Sequence, residues 1–233
     1  MPNKSPRPNP RDDPRWVEAR FDRIAPWYNV IEPLFLVPQE ARRQAIASLA
    51  LSTSMNVLSV GCGSGRSLVQ LAEIVGTAGC VTGIDLSSRM LQRSRTRLSR
   101  ARVANVTLCH SDLFRLGQET HYDRIFFEFS LSSFGDPRAA IEKGLALLAP
   151  GGKLVILDGR LPPRFHWLTR ATMPVIRWLL EQTVLGDPDV DASLELERSG
   201  VPSEVKWFRG KTYFVTCLSK EPLPVIALKA PSI

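Results

Sequence analysis

From Asn56 to Asp158 the chain alternates short apolar runs with segments of helical length, and this rhythm leaves few folds open to it. The runs are "NVLSV", "CVTGID", "VTLC", "YDRIFFEF" and "KLVILD". They are mostly apolar rather than apolar at every second residue, so both faces of each strand are buried. Helices must then cover both sides of a parallel sheet. The intervening helices are "SLVQLAEIV", "SSRMLQRSRTRLSR" and "RAAIEKGLALL". Ser87 or Ser88 is placed to cap the second, and Asp136 with Pro137 to open the third. "APGG" reads as the stop after that helix. Beyond residue 159 the pattern changes to a helical insert over about 163–182, a short helix "ASLELERSG", and a hairpin of "SEVKWFRG" and "KTYFVTCLS" closing the sheet's edge.

Ahead of the sheet, residues 1–14 hold five prolines and read as a disordered tail. Residues 15–50 carry an amphipathic helix with Trp16, Phe21, Ile24 and Tyr28 on one stripe, interrupted near Pro26, then a second helix "QEARRQAIASLAL". A chain of 233 residues suits one domain, placed at 15–222, with residues 223–233 as a tail. The net charge of +7 makes anionic partners plausible, although five arginines within 93–102 read mainly as a solvated helix face. Cys62, Cys80, Cys109 and Cys217 show neither CxxC pairing nor metal-ligand spacing with histidine, so a reducing compartment is expected and no metal. No apolar leader core is visible near the N-terminus. The greasiest stretch is broken by Arg170, Pro174, Arg177 and Glu181, so it is not a membrane span. Together these features imply a cytoplasmic protein.

The chemistry concentrates where the first strand ends in "VLSVGCGSG". Gly61, Gly63 and Gly65 permit a tight turn and close approach of a ligand to bare backbone, and the following helix offers its free N–H groups to an anion. Alone, this suits a dinucleotide or a carboxylate equally. Asp85 ends the second strand, where a carboxylate can accept both hydroxyls of a ribose, and Asp112 follows the third, within reach of an adenine amino group. The glycine spacing is GxGxG rather than the GxGxxG of dinucleotide loops.

In "VLSVGCGSG", "GIDLS", "HSDLF", "YDRIFFEFSLSSF" and "LLAPGGKLVILD", taken in order, the chain resembles the class I S-adenosylmethionine-dependent methyltransferases. "FDRIAPWYN" is similar to a segment of the ubiquinone/menaquinone C-methyltransferases, shared by some phospholipid N-methyltransferases. The resemblance covers roughly residues 15–220. It implies an α/β, Rossmann-like, doubly wound sheet of seven mostly parallel strands with an antiparallel C-terminal hairpin. It also implies an N-terminal helical lid and a helical insert (160–190) over the substrate.

The resemblance further implies S-adenosylmethionine as cofactor. The loop Ser59, Gly61, Cys62, Gly63 and Gly65 would hold its methionine part, Asp85 the ribose, Leu86, Asp112 and Leu113 the adenine. Phe129 would lie beside the sulfonium and Tyr28 over the cofactor. Trp27, Ser130, Ser133, Arg160, Phe165 and Trp167 are expected on the acceptor side, with His166 as base where the acceptor must lose a proton. Ser59 departs from the family, which usually has Asp or Glu there to help hold the cofactor's ammonium end. The lost charge is expected to weaken binding by about 1 kcal/mol.

The expected partner is a small, hydrophobic or aromatic acceptor. Phospholipid N-methylation in peripheral contact with an anionic membrane is the first alternative. A non-catalytic cofactor-binding protein and an NAD-dependent oxidoreductase stand behind it. Nucleic acid is disfavoured because the segment after strand four, "EFSLSS", lacks the Asn/Asp-Pro-Pro-aromatic motif of base-amino methyltransferases. Oligomeric state is not legible.

Overall fold

A computed structural model describes residues 12–28, 30, 37–117, 119–160, 192–198 and 204–221. The expected insert over 163–182 and both tails therefore fall wholly or mostly outside the described residues. Within them lies one sheet of seven strands: β1 (Asn56–Val60), β2 (Cys80–Asp85), β3 (Val106–His110), β4 (Tyr122–Glu128), β5 (Leu148–Gly159), β6 (Glu204–Phe208) and β7 (Tyr213–Ser219). Their order is β3-β2-β1-β4-β5-β7-β6. The first five are parallel, and β7 runs antiparallel to both β5 and β6. The expected fold class is the observed one, down to the antiparallel hairpin at the edge.

The helices are α1 (Pro14–Ile24), α2 (Gln39–Ser48), α3 (Arg66–Val75), α4 (Ser88–Arg100), α5 (Pro137–Leu147) and α6 (Ala192–Arg198). Their starts follow local chemistry. Asp13 accepts a bond from the Arg15 amide ahead of Pro14, Ser87 caps α4 through the Met90 amide, and Asp136 caps α5 through the Ala139 amide. Each such cap contributes about 1 kcal/mol.

One element departs from the sequence reading. "APGG" does not separate helix from strand; it lies inside β5, which begins at Leu148. Tyr122 pairs with Leu148, but Arg124 pairs with Lys153, so the extra residues of β5 bulge outward. Gly151 takes a φ of +73° there, and its amide donates to the Lys220 carbonyl beyond β7. The partner strand, not the helix end, determines this turn.

Strand alternation divides the core in two. Leu58, Val60, Ile125, Phe127 and Ile156 meet Ile141 and Leu147 of α5 on one face. On the other, Val57, Phe126, Val155 and Leu157 meet Ala41 and Ala45 of α2 with Leu68 and Leu71 of α3. All are 0–2% exposed.

The N-terminal helix is fastened to α4. Asp22 accepts bonds from the Ser87 hydroxyl (2.6 Å) and the Arg89 amide (3.2 Å), and Ile24 and Ala25 pack on Met90. Because β1 leads to β2 on one side and lies against β4 on the other, the crevice opens at their carboxyl ends.

Candidate active site

At the end of β1 the chain turns through three left-handed glycines, with φ of +63°, +53° and +73° at Gly61, Gly63 and Gly65. Their surroundings differ. A Cβ on Gly61 would meet the Ser130 Cβ at 2.5 Å, and one on Gly65 would meet the Ser94 hydroxyl at 2.2 Å, so both serve close packing of protein on protein. A Cβ on Gly63 would meet nothing within 4 Å. Gly63 is the glycine that faces open space, and its amide donates to Asp85 Oδ2 at 2.7 Å.

That space is a cavity of about 280 Å³ at the strand ends. Of the residues expected at the cofactor, Tyr28, Gly61, Cys62, Gly63, Asp85, Leu86, Asp112, Leu113 and Phe129 all lie on its wall. Ser130 and Ser133, expected on the acceptor side, lie there too. The Ser130 hydroxyl is committed to the Val60 carbonyl at 2.7 Å, tying the ends of β1 and β4 together. The Ser133 hydroxyl is buried and makes no hydrogen bond among the described residues. Phe129 holds a φ of +52°, a conformation that costs a bulky side chain about 1 kcal/mol or more. The hydrogen bond its amide donates to the Leu157 carbonyl (2.8 Å) and its edge-to-face contact with Tyr213 (5.9 Å) keep it there.

Several expected residues stand elsewhere. Ser59 is 4% exposed within the sheet and does not reach the cavity wall. Gly65 is behind the loop as the first cap of α3. Trp27 is 66% exposed. Arg160 belongs to the hairpin: its guanidinium lies 4.2 Å from the Trp207 ring centre and donates to the Lys211 carbonyl and the Ser193 hydroxyl. Phe165, His166 and Trp167 lie outside the described residues. His110 Nε2 sits 2.7 Å from the Leu86 carbonyl and 3.3 Å from Glu18 of α1, linking lid to sheet.

The wall also contains groups the sequence reading did not single out. Glu128 closes β4 and pairs with Arg42 of α2 at 3.2 Å, each side chain less than one-fifth exposed. Val17 of α1 and Phe134 after β4 add apolar surface, beside Phe21 of the expected helical stripe. The signal for Glu128 was an acid at the end of the apolar run "IFFEF"; nothing in the sequence joined Arg42 to it.

The electrostatics separate the acids. Loss of hydration raises the Asp85 pKa to about 6 against the opposing pull of the Ser87 and Gly63 amides, which donate to it at 2.8 and 2.7 Å. The Cys62 thiol is pushed well above its ordinary value by burial and then by the Asp85 charge, so it stays neutral and is no nucleophile. Asp112 caps its own short turn through the Phe114 amide at 3.1 Å. Among the described residues no cluster of His, Cys, Asp or Glu is arranged to hold a metal ion. Nor is any helix among them long and apolar enough to cross a membrane.

Comparison with known proteins places this geometry. A family model described as a methyltransferase domain matches residues 51–195. The demethylmenaquinone methyltransferase of Listeria monocytogenes is 28% identical over 154 residues, covering 65% of this chain and 65% of that protein. The chain thus spans just under two thirds of that relative's length. Among solved structures, a SAM-dependent methyltransferase from Aquifex aeolicus aligns with 89% of this chain and 98% of its own at a TM-score of 0.58 and 21% identity. The N-methyltransferase NodS from Bradyrhizobium japonicum, in complex with S-adenosyl-L-homocysteine, aligns with 91% and 99% at 0.59 and 19%. At these identities the solved structures establish the fold.

Proposed function

The chain belongs to the methyltransferase-domain family, and on that premise we propose that it transfers the methyl group of S-adenosylmethionine to a small, apolar, ring-bearing acceptor. The observation that carries the reading is the pairing of Gly63 with Asp85. A bare backbone faces the open cavity while its amide orients a carboxylate that retains lone pairs for hydroxyl donors. A ribose with two adjacent hydroxyls fits that acceptor, and the wall from Leu86 to Leu113 fits the flat face of an adenine.

When bound, S-adenosylmethionine supplies an electrophilic methyl group whose bond to sulfur breaks as the acceptor's electron pair arrives, leaving a neutral thioether. The chain's own part is alignment and exclusion of water, which together supply roughly 7–11 kcal/mol in well-oriented systems. Phe129, held rigidly by Tyr213, and Phe21 and Tyr28 of the lid form an apolar enclosure for the acceptor. The Ser133 hydroxyl is the polar group we assign to orienting it.

The curated relatives named as demethylmenaquinone methyltransferases support a quinone-like ring as the acceptor. The test is calorimetric titration with S-adenosylmethionine and S-adenosylhomocysteine, followed by a methyl-transfer assay on a demethylated quinol. Binding with transfer supports the whole reading. Binding without transfer to any ring acceptor removes the quinone assignment, and no binding by folded protein removes the donor.

A further inference from the structure

We propose that Glu128 is the acidic partner for the α-ammonium group of the methyl donor, a role for which Ser59 has no charge. This rests on the donor reading above and extends it to one end of the ligand.

The donor's amino-acid end is a zwitterion, and its ammonium group needs an acceptor that carries charge if the bond is to be strong. Ser59 cannot serve. Its hydroxyl is neutral, the residue is 4% exposed, and it lies off the cavity wall. The acids on the wall are Asp12, Asp85, Asp112, Glu128 and Asp136. Asp85 and Asp112 stand at the ends of β2 and β3, where the nucleoside is placed. A ligand anchored there extends across β1 toward β4. Asp136 accepts the Ala139 amide as the cap of α5, and Asp12 precedes α1. Glu128 is the wall acid on the strand that borders the glycine loop on its far side.

Strand register gives the same answer. Ser59 lies beside Phe126 and Val60 beside Phe127, so one further step brings Glu128 level with Gly61. Side chains alternate along a strand, hence Glu128 projects from the same sheet face as Ser59, displaced to the neighbouring strand and toward the cavity. The charge missing at Ser59 is thus present about one strand away, on the side where the ligand's amino-acid end must lie.

Arg42 fixes the carboxylate in place. Its Nε is 3.2 Å from Glu128 Oε1, and its guanidinium is 5.9 Å from the Phe129 ring centre. Neither side chain is more than 18% exposed, so charge–charge attraction there is stronger than at an open surface.

The deciding experiment compares two ligands on three proteins. S-adenosylhomocysteine carries the ammonium group; its deaminated analogue keeps the nucleoside and the carboxylate. Glu128→Gln is expected to lose on the order of 10- to 100-fold in affinity for S-adenosylhomocysteine and to stay within about twofold of the native protein for the analogue. Glu128→Asp, which keeps the charge, is expected to hold affinity for S-adenosylhomocysteine closer to the native value than Glu128→Gln does. Unchanged affinity for S-adenosylhomocysteine in Glu128→Gln overturns the proposal and leaves the donor reading standing. Equal losses for both ligands also overturn it, because Glu128 would then act only by holding Arg42 or the fold. If the folded native protein binds neither ligand, the donor reading falls and this inference with it.

Discussion

Asp85 and Asp158 both stand at the carboxyl end of a strand, and burial pushes both from 3.8 to about 6. Their surroundings assign them opposite tasks. Asp158 is 2% exposed and its carboxylate is used up by its own protein: it accepts from the Ser132 amide (2.9 Å), the Ser132 hydroxyl (3.1 Å) and the Gly159 amide (2.8 Å). Those bonds shape the turn over Leu131–Ser133 that walls the cavity. Asp85 accepts two amides, but it opens on the cavity beside Gly63 and keeps acceptor capacity for a ligand. A shifted pKa therefore does not separate the two acids; acceptor capacity left facing open space does.

The sharpest break between the two is expected on substitution. Asp85→Ala should act chiefly on binding: affinity for S-adenosylhomocysteine falls by at least about 100-fold as two charge-assisted bonds to the ligand disappear, while the ligand-free protein also loses some stability through the Gly63 and Ser87 amides left without their acceptor. Asp158→Ala should do the reverse. Leaving the Ser132 and Gly159 amides unpaired in the interior costs about 2–4 kcal/mol of stability by denaturant titration, with affinity reduced less than tenfold. Equal binding losses from the two variants would erase the distinction.

A second difference lies in pH dependence. A carboxyl whose pKa is raised on folding binds its proton more tightly in the native state. The stability it adds is full below 3.8 and disappears as pH rises to about 6. For buried Asp158 the span is about 3 kcal/mol at most. Asp158→Asn should therefore flatten the stability profile between pH 4 and 7 relative to the native protein. A profile unchanged by that variant would show that Asp158 is not the group responsible.

The smallest effect concerns Asp85 alone. Ligand hydroxyls donating to its carboxylate favour the ionised form, so binding should release a fraction of a proton near pH 5.5 and tighten as pH rises through about 6. Calorimetry in buffers of different ionisation enthalpy reads the release directly. Asp158→Asn should show the same release, and Asp85→Asn none.

Much of this was legible in the sequence because the informative signals were local. The apolar runs specified buried parallel strands. Asp136 ahead of Pro137 and Ser87 ahead of α4 announced helix starts. The glycine loop with Asp85 and Asp112 marked the wall of the cavity. The β5 bulge was not legible, because the chemistry of "APGG" is that of a helix stop until a partner strand shifts the register from Leu148 to Lys153. Arg160 read as an acceptor-side residue from its position after β5, but Trp207 and Ser193, distant in sequence, hold it at the hairpin.

The sequence by itself determined the alternation of elements, the two-sided burial of the sheet and the loop chemistry at the end of β1. Each of these is carried by residues within a few positions of one another, where spacing alone decides which side chains share a face. Only the tertiary structure decided which glycine faces the open cavity, that Ser59 is buried in the sheet, and that Arg42 meets Glu128 across 86 positions of chain. Those outcomes depend on which strand lies beside which, and that arrangement arises from the packing of the whole sheet rather than from any stretch of it.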